Sequence, residues 1–301
     1  MWDNLQILGV TAPIFNLQLV LNGVTVGAIF GLVAYGLALV WGVTSVKNLS
    51  QGDFVMMGGY GAFEFSRHGI HPILALVPVS LIMFGFGWLV YKLIIRRVIQ
   101  LDLFTSLLAT FGMAITIQQL LNLAFGPDVR TVRSGFGNWE MFDGMIEITQ
   151  IKLIAFGLCV LLAIGMVLFL RNSRLGQAIR ATAQDPRAAR VVGVNTDTVY
   201  AMTFSINAAI CGAAGVLIAM IWVIQPFYGI AYSVRAFVIV TAAGLGNLPG
   251  VILTALGLGV LEQYSGFVLG AQFQQATIVG LLLAVLIWRQ LSLMRQRKAL
   301  Q

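Results

Sequence analysis

A chain of 301 residues that is 59% hydrophobic and only 10% charged is excluded from the water-soluble class, whose domains carry roughly 25% charged residues. Its 33 glycines suit membrane helices, where small residues let backbones approach closely. The net charge of +7 would fit nucleic acid if it were spread over one surface, but it is distributed by segment and so excludes that partner.

In chain order, apolar segments run at 14–44, 52–66, 72–95, 102–125, 151–170, 198–222, 233–245, 250–265 and 267–288. They predict an all-α integral membrane protein of about eight to nine transmembrane or half-membrane helices, in a single domain over 1–301. The N-terminus opens MWDNLQILGV, with an acid and no early Lys or Arg. A secretory signal needs a basic region before its apolar core, so the first run is expected to stay as a span. Segment 233–245 would cover only about 20 Å of the ~30 Å hydrocarbon core, and 52–66 and 250–265 are little longer. Short helices of this kind are tolerated at membrane depth where protein or a water-filled cavity satisfies the exposed backbone, and they mark translocation pathways.

The breaks beside them look related. One is Asn48-Leu49-Ser50-Gln51-Gly52 and the other Asn247-Leu248-Pro249-Gly250, preceded by Gly244 and Gly246. Aligning Gly52 with Gly250 also matches Gly59 with Gly257, Gly61 with Gly259 and Glu64 with Glu262, the pattern of a parallel internal repeat. The two breaks are expected to face each other across the pathway, each with free N–H donors at a helix start that could help pass a carboxylate. The pathway residues are then Asn48, Ser50, Gln51, Gly52, Gly244, Gly246, Asn247, Pro249 and Gly250.

Lys92, Arg96 and Arg97 follow one span. Arg171, Arg174, Arg180, Arg187 and Arg190 lie in a polar insert at 171–197, and Arg289, Arg295, Arg297 and Lys298 form the tail; together they are 12 of the 18 basic residues. Alternating spans place all three groups on one side, which the excess of Lys and Arg marks as cytoplasmic. The loop 126–150, with Asp128, Glu140, Asp143 and Glu147 against Arg130 and Arg133, becomes external, as does the N-terminus; the C-terminus is cytoplasmic.

The insert is the least expected segment. Leu175–Val192 is rich in Ala, Arg and Gln at helix-favourable positions. Asp185-Pro186 marks a turn with Pro suited to begin a second helix, and Gly193 is available to stop it. Two short helices flanking a turn make a compact knob, far longer than a membrane loop requires, so it is expected to hold a partner protein.

Little catalytic chemistry is visible. None of Lys47, Lys92, Lys152 and Lys298 follows a glycine, as a phosphate loop demands. His68 and His71, the only two histidines, read as loop residues, and Cys159 and Cys211 as helix packing. Asn207, Gln118, Gln119 and Asn122 read as interhelical hydrogen bonders. The few charges inside or at the ends of spans are Lys47, Asp53, Glu64, Arg235 and Glu262. For Glu64 and Glu262 both a structural role and substrate or gating contact stay open. A deep zwitterion site, needing a paired cation and anion, is not expected.

These residues also carry a family resemblance. Gly176-Gln177-Ala178-Ile179-Arg180-Ala181-Thr182-Ala183-Gln184-Asp185, continuing through Ala188-Ala189 to Gly193-Val194-Asn195-Thr196, resembles the cytoplasmic signature of branched-chain amino-acid ABC transporter permeases. Gly244-Leu245-Gly246-Asn247-Leu248-Pro249-Gly250 and Asn48-Leu49-Ser50-Gln51-Gly52-Asp53-Phe54 continue the likeness over nearly the whole chain. The family usually has Ala-His-Gly where this chain has Ser50-Gln51-Gly52, which leaves the cargo open among branched-chain amino acids, urea and short amides. The resemblance implies a non-catalytic permease subunit of a binding-protein-dependent importer in a bacterial inner membrane. It implies a second homologous permease, two cytoplasmic ATPases that bind ATP and Mg, and an external solute-binding protein, with no cofactor on this chain. Gly176, Arg180, Ala181, Asp185, Arg187, Ala188, Arg190 and Gly193 are then the ATPase-docking residues. A self-sufficient secondary transporter or channel is the rival reading, explaining the breaks but not the insert.

Overall fold

The computed structural model describes residues 13–99, 101–133, 135–141, 146–244 and 246–299. Expectations that bear on residues 1–12, Leu245 or Asp143 lie outside the described residues, as do the side chains of Glu140, Glu147 and the basic tail.

Helix α1 (Pro13–Thr44) is followed by α2 (Gln51–Arg67). Helix α3 (Pro72–Val90) continues through a π-helical turn, Tyr91–Ile95, to Val98, and α4 spans Leu103–Phe125. Strands β1 (Asn138–Met141) and β2 (Ile146–Thr149) pair antiparallel, Asn138 opposite Thr149. The chain then forms α5 (Gln150–Asn172), α6 (Arg174–Gln184), α7 (Pro186–Val191) and α8 (Thr196–Ile221). A 3-10 turn, Pro226–Tyr228, leads into α9 (Gly229–Ala243), followed by α10 (Leu248–Val268). A second 3-10 turn, Ala271–Phe273, precedes α11 (Gln274–Ala299).

Seven helices among the described residues are long and apolar enough to cross a membrane. Helix α2, at 17 residues, and the apolar stretch Ala271–Ile287 are shorter. The protein is an all-α, multi-pass membrane protein whose only described strands form one small hairpin in the loop 126–150. Two of the three short segments read from the sequence are corrected. The run at 233–245 belongs to an 18-residue span, Pro226–Ala243, and that at 250–265 to the 21-residue Leu248–Val268. Arg235 of α9 and Glu262 of α10 lie within these helices and pair with each other.

Helices α1 and α8 are almost wholly enclosed, while α4 and α5 turn most of their surface outward, with Leu108, Leu123 and Leu161 exposed. Glycine sets the closest approaches. A Cβ on Gly58 of α2 would meet the Gly212 backbone of α8, and one on Gly23 of α1 would meet the Val260 backbone of α10; without side chains there, the backbones gain the dispersion contact that drives membrane-helix association.

Helix α8 defines two ends. At one, Arg130 and Ile224 exchange two backbone hydrogen bonds of 2.9 Å, and Gln225 donates to the Pro127 carbonyl at 3.1 Å; this is the loop end. At the other lies the insert.

Candidate functional site

The first break lies inside the bundle. Gln51 meets Asn207, eleven residues into α8 and therefore about 17 Å from the insert end. Helix α2 thus begins at membrane depth, where every backbone polar group needs a protein partner. The partners are hydroxyls and amides from other segments. The Leu49 N–H donates to Thr110 Oγ1 (3.3 Å), and the same hydroxyl donates to the Lys47 carbonyl (3.2 Å). Ser233 of α9 accepts from the Gly52 N–H at 2.8 Å and donates to the Leu49 carbonyl at 2.8 Å. Asn48 Oδ1 accepts from the Ser50 N–H and hydroxyl.

Gln51 Nε2 also donates to the Val33 carbonyl (3.0 Å) and to Cys211 Sγ (3.1 Å), and Gln118 of α4 donates to Asp53 at 2.9 Å. Asn48, Ser50, Gln51 and Asp53 are buried, as is Gly52. Asn207 and Gln118 are interhelical hydrogen bonders, as read from the sequence. Thr110 and Ser233 were not singled out, because one hydroxyl in an apolar helix carries no mark of which backbone it serves.

The second break is built differently. Gly244 and Gly246 have φ of 90° and 82°, in the left-handed region that glycine enters without steric cost. Asn247 caps α10, accepting from the Gly250 N–H at 3.0 Å, and its side chain donates to the Ala243 carbonyl at 3.3 Å. Pro249 stands in the first turn. Gly246, Asn247 and Pro249 are exposed. Gly246 and Leu248 border a cleft of about 470 Å³ together with Arg180 and Gln184 of α6 and Gly42 and Val43 of α1. Asn247 caps its helix, whereas Asn48 Oδ1 accepts from Ser50, the residue before α2; one break is enclosed by α4 and α9 while the other lies at the surface beside the insert.

The carboxylates matched by the repeat also diverge. Glu64 is half-buried, pairs with Arg67 at 3.2 Å and lies 3.8 Å from His68. Glu262 is buried and receives a two-pronged contact from Arg235, 2.6 Å from Nη2 and 3.3 Å from Nε. The Arg235 guanidinium lies 5.0 Å from the Phe30 ring and 5.8 Å from that of Tyr232. The pair borders a cleft of about 290 Å³ that reaches Trp222 and Tyr228 at the loop end. The sequence reading placed both charges but missed their pairing, since nothing in a 27-residue separation shows that two helix faces meet.

The insert is two capped helices. Ser173 accepts from the Gly176 N–H at 2.8 Å and starts α6. Asp185 accepts from the N–H groups of Arg187 (2.7 Å) and Ala188 (3.1 Å) and starts α7; those hydrogen bonds hold its carboxyl below the ordinary carboxylate value. Gly193, at φ 88°, stops α7, and the Val194 N–H returns to the Ala189 carbonyl at 3.0 Å. Gly176 is buried against the end of α5, where a Cβ would strike the Leu170 backbone.

Arg180 donates to the Leu170 carbonyl at 2.6 Å and the Arg171 carbonyl at 3.4 Å. It thereby satisfies carbonyls that a helix C-terminus leaves orphaned. Arg190 donates to Thr196 at 2.9 Å. These two arginines tie the knob to α5 and α8, with Ala181 half-buried beside them, whereas Arg187 and Ala188 face outward. Val191 and Val192 are 87% and 77% exposed, an apolar pair at the tip that polar-segment reading passes over.

Residues 19–288 match the family described as the branched-chain amino acid transport system / permease component. The chain is 31% identical over 290 residues to the high-affinity branched-chain amino acid transport system permease protein LivH of Escherichia coli K12, covering 91% of this chain and 94% of that protein. It is 32% identical over 289 residues to BraD of Pseudomonas aeruginosa, likewise a permease protein of a high-affinity branched-chain amino acid transport system, with the same coverage of 91% and 94%. It is 26% identical over 320 residues to LivM of Escherichia coli K12, a second permease protein of such a system, covering 95% and 72%. With a family match over residues 19–288 and relatives above 30% identity across nearly their whole length, the chain belongs to the family of branched-chain amino acid transport system permease components.

Proposed function

We propose that this protein is a non-catalytic transmembrane subunit of an ATP-driven, binding-protein-dependent importer that carries branched-chain or closely related amino acids across a bacterial inner membrane. One observation carries the reading: a two-helix knob, fastened to α5 by Arg180 and to α8 by Arg190, with an outward apolar tip at Val191 and Val192. A fastened knob passes an applied push into the spans; a floppy loop would absorb it. The insert end is cytoplasmic and receives one of two ATPases, which hold ATP and Mg. The loop end faces an external solute-binding protein, and a second homologous permease completes the pathway. The push moves α6 against the cleft beside Gly244, Gly246, Asn247, Pro249 and Gly250, while the enclosed break at Asn48, Ser50, Gln51 and Gly52 supplies the fixed wall.

The test is reconstitution of the permease pair with its ATPases in liposomes, with labelled leucine, urea and acetamide offered with and without binding protein. Leucine uptake that requires ATP and binding protein is expected. Uptake that proceeds without ATPases would overturn the reading in favour of a channel or secondary transporter.

A further inference from the structure

The Arg235–Glu262 pair does more chemistry than joining two helices requires. Buried ion pairs hold helices no better than apolar residues of the same volume, and ionisable groups at membrane depth are by default functional. This one lines a cleft of about 290 Å³, near the lower end of small-molecule sites, ~300–1,000 Å³, and so sized for a small solute.

The pair also has binding capacity to spare. Arginine has five N–H donors. Arg235 uses one on each of two Glu262 oxygens and one on the Ala231 carbonyl at 3.2 Å, which leaves two. Each Glu262 oxygen accepts once from Arg235 and keeps a further lone pair. Phe30 and Trp222 stand stacked at 6.2 Å, with Tyr232 edge-on to Phe30 at 6.2 Å, and Val26 completes an apolar wall beside the charges.

We propose that Arg235 and Glu262 form a weak binding station for an α-amino-acid zwitterion, resting on the proposed function above. The solute carboxylate takes the spare N–H groups of Arg235 and the ammonium takes the spare lone pairs of Glu262. A branched aliphatic side chain lies on the wall of Phe30 and Trp222. The cleft reaches the loop end, so the station is the first place in the permease that meets a solute handed over from that side. Both of the solute's charges are matched together, which neither an amine nor a carboxylate alone achieves.

The experiment measures displacement of labelled leucine from the full permease–ATPase complex in nanodiscs, without binding protein, using leucine, 3-methylbutylamine and 4-methylpentanoate. Each analogue lacks one charge-assisted interaction and is expected to compete about tenfold or more weakly than leucine. The double variant Arg235→Gln, Glu262→Gln removes both charges without stranding either, and thermal unfolding reports whether it folds. In the folded variant the three probes should compete within about threefold of one another. Val223→Trp, which adds bulk at another residue lining the cleft and alters neither charge, should weaken leucine about tenfold or more and keeps the test alive if the double variant does not fold. Equal competition by all three probes in the wild type, a retained preference for leucine in the double variant, or no effect of Val223→Trp would overturn the proposal. If the complete importer takes up leucine and these results are negative, the station alone fails; if it takes up no leucine at all, the proposed function fails.

Discussion

Gln51 and Asn207, 156 residues apart in the chain, exchange two amide hydrogen bonds of 2.9 and 3.0 Å at the centre of the bundle, both fully buried. The exchange fixes the start of α2 against the middle of α8, with α1 held by the Gln51 bond to the Val33 carbonyl. Removing one amide leaves its partner's polar atoms in an apolar interior.

Asn207→Leu is therefore expected to destabilise the protein by about 1–3 kcal/mol, seen as a lower thermal unfolding midpoint of the purified complex. Gln51→Leu in the same background should add less than it costs alone, because the Asn207 amide is no longer there to strand. Additive losses would mean that the two amides are not coupled.

Glycine packing gives a paired comparison. Gly58→Ala puts a methyl group into the Gly212 backbone and should cost about 1–3 kcal/mol, because backbone cannot rotate aside. Gly112→Ala in α4 meets no neighbouring atom and should be neutral or gain a few tenths of a kcal/mol from better helix propensity. Thermal unfolding of the two variants side by side checks both.

The Asp185 cap has a defined pH dependence. Its two backbone N–H partners hold the carboxyl below its ordinary value of 3.8, so the folded form binds its proton less readily than the unfolded form. Its contribution to α7 is complete above that ordinary value and is lost as pH falls below it towards the folded pKa; near neutral pH it does not vary. Asp185→Ala should raise amide exchange across Pro186–Val191 while Asp185→Asn, also a good cap, should not. Hydrogen exchange monitored over that peptide decides between them.

The exposed tip and the anchoring arginines should separate in their effects. Val191→Ser with Val192→Ser is expected to leave unfolding within about 0.5 kcal/mol of wild type, yet to lower ATPase co-purification and coupled uptake about tenfold. Arg180→Gln should instead loosen the knob itself, with faster exchange at the end of α5. Unaltered ATPase binding by the valine variant would remove the tip from the docking surface.

The residues that were legible share one property: their chemistry is local. Asp185, Pro186 and Gly193 mark the turn between α6 and α7 and the end of α7 because such residues act on N–H or C=O groups two to four residues away. The spans were legible for the same reason, since apolar length is read along a single helix. The second break, named from Gly244, Gly246 and Asn247, is likewise built from contacts within a few residues.

By itself, then, the amino-acid sequence determined a multi-pass helical membrane protein with an insert of two short helices flanking a turn and two asparagine-led breaks. Only the tertiary structure decided that one break is enclosed at mid-depth while the other is exposed, that Glu262 is buried and Glu64 is not, and that Arg235 of α9 pairs with Glu262 of α10. The physical reason is the same in each case. Thr110, Ser233 and Arg235 satisfy groups on other segments, and which faces meet is set by close backbone approaches such as Gly58 on Gly212. Those approaches depend on all the helices packing together, and no periodicity within one helix records them.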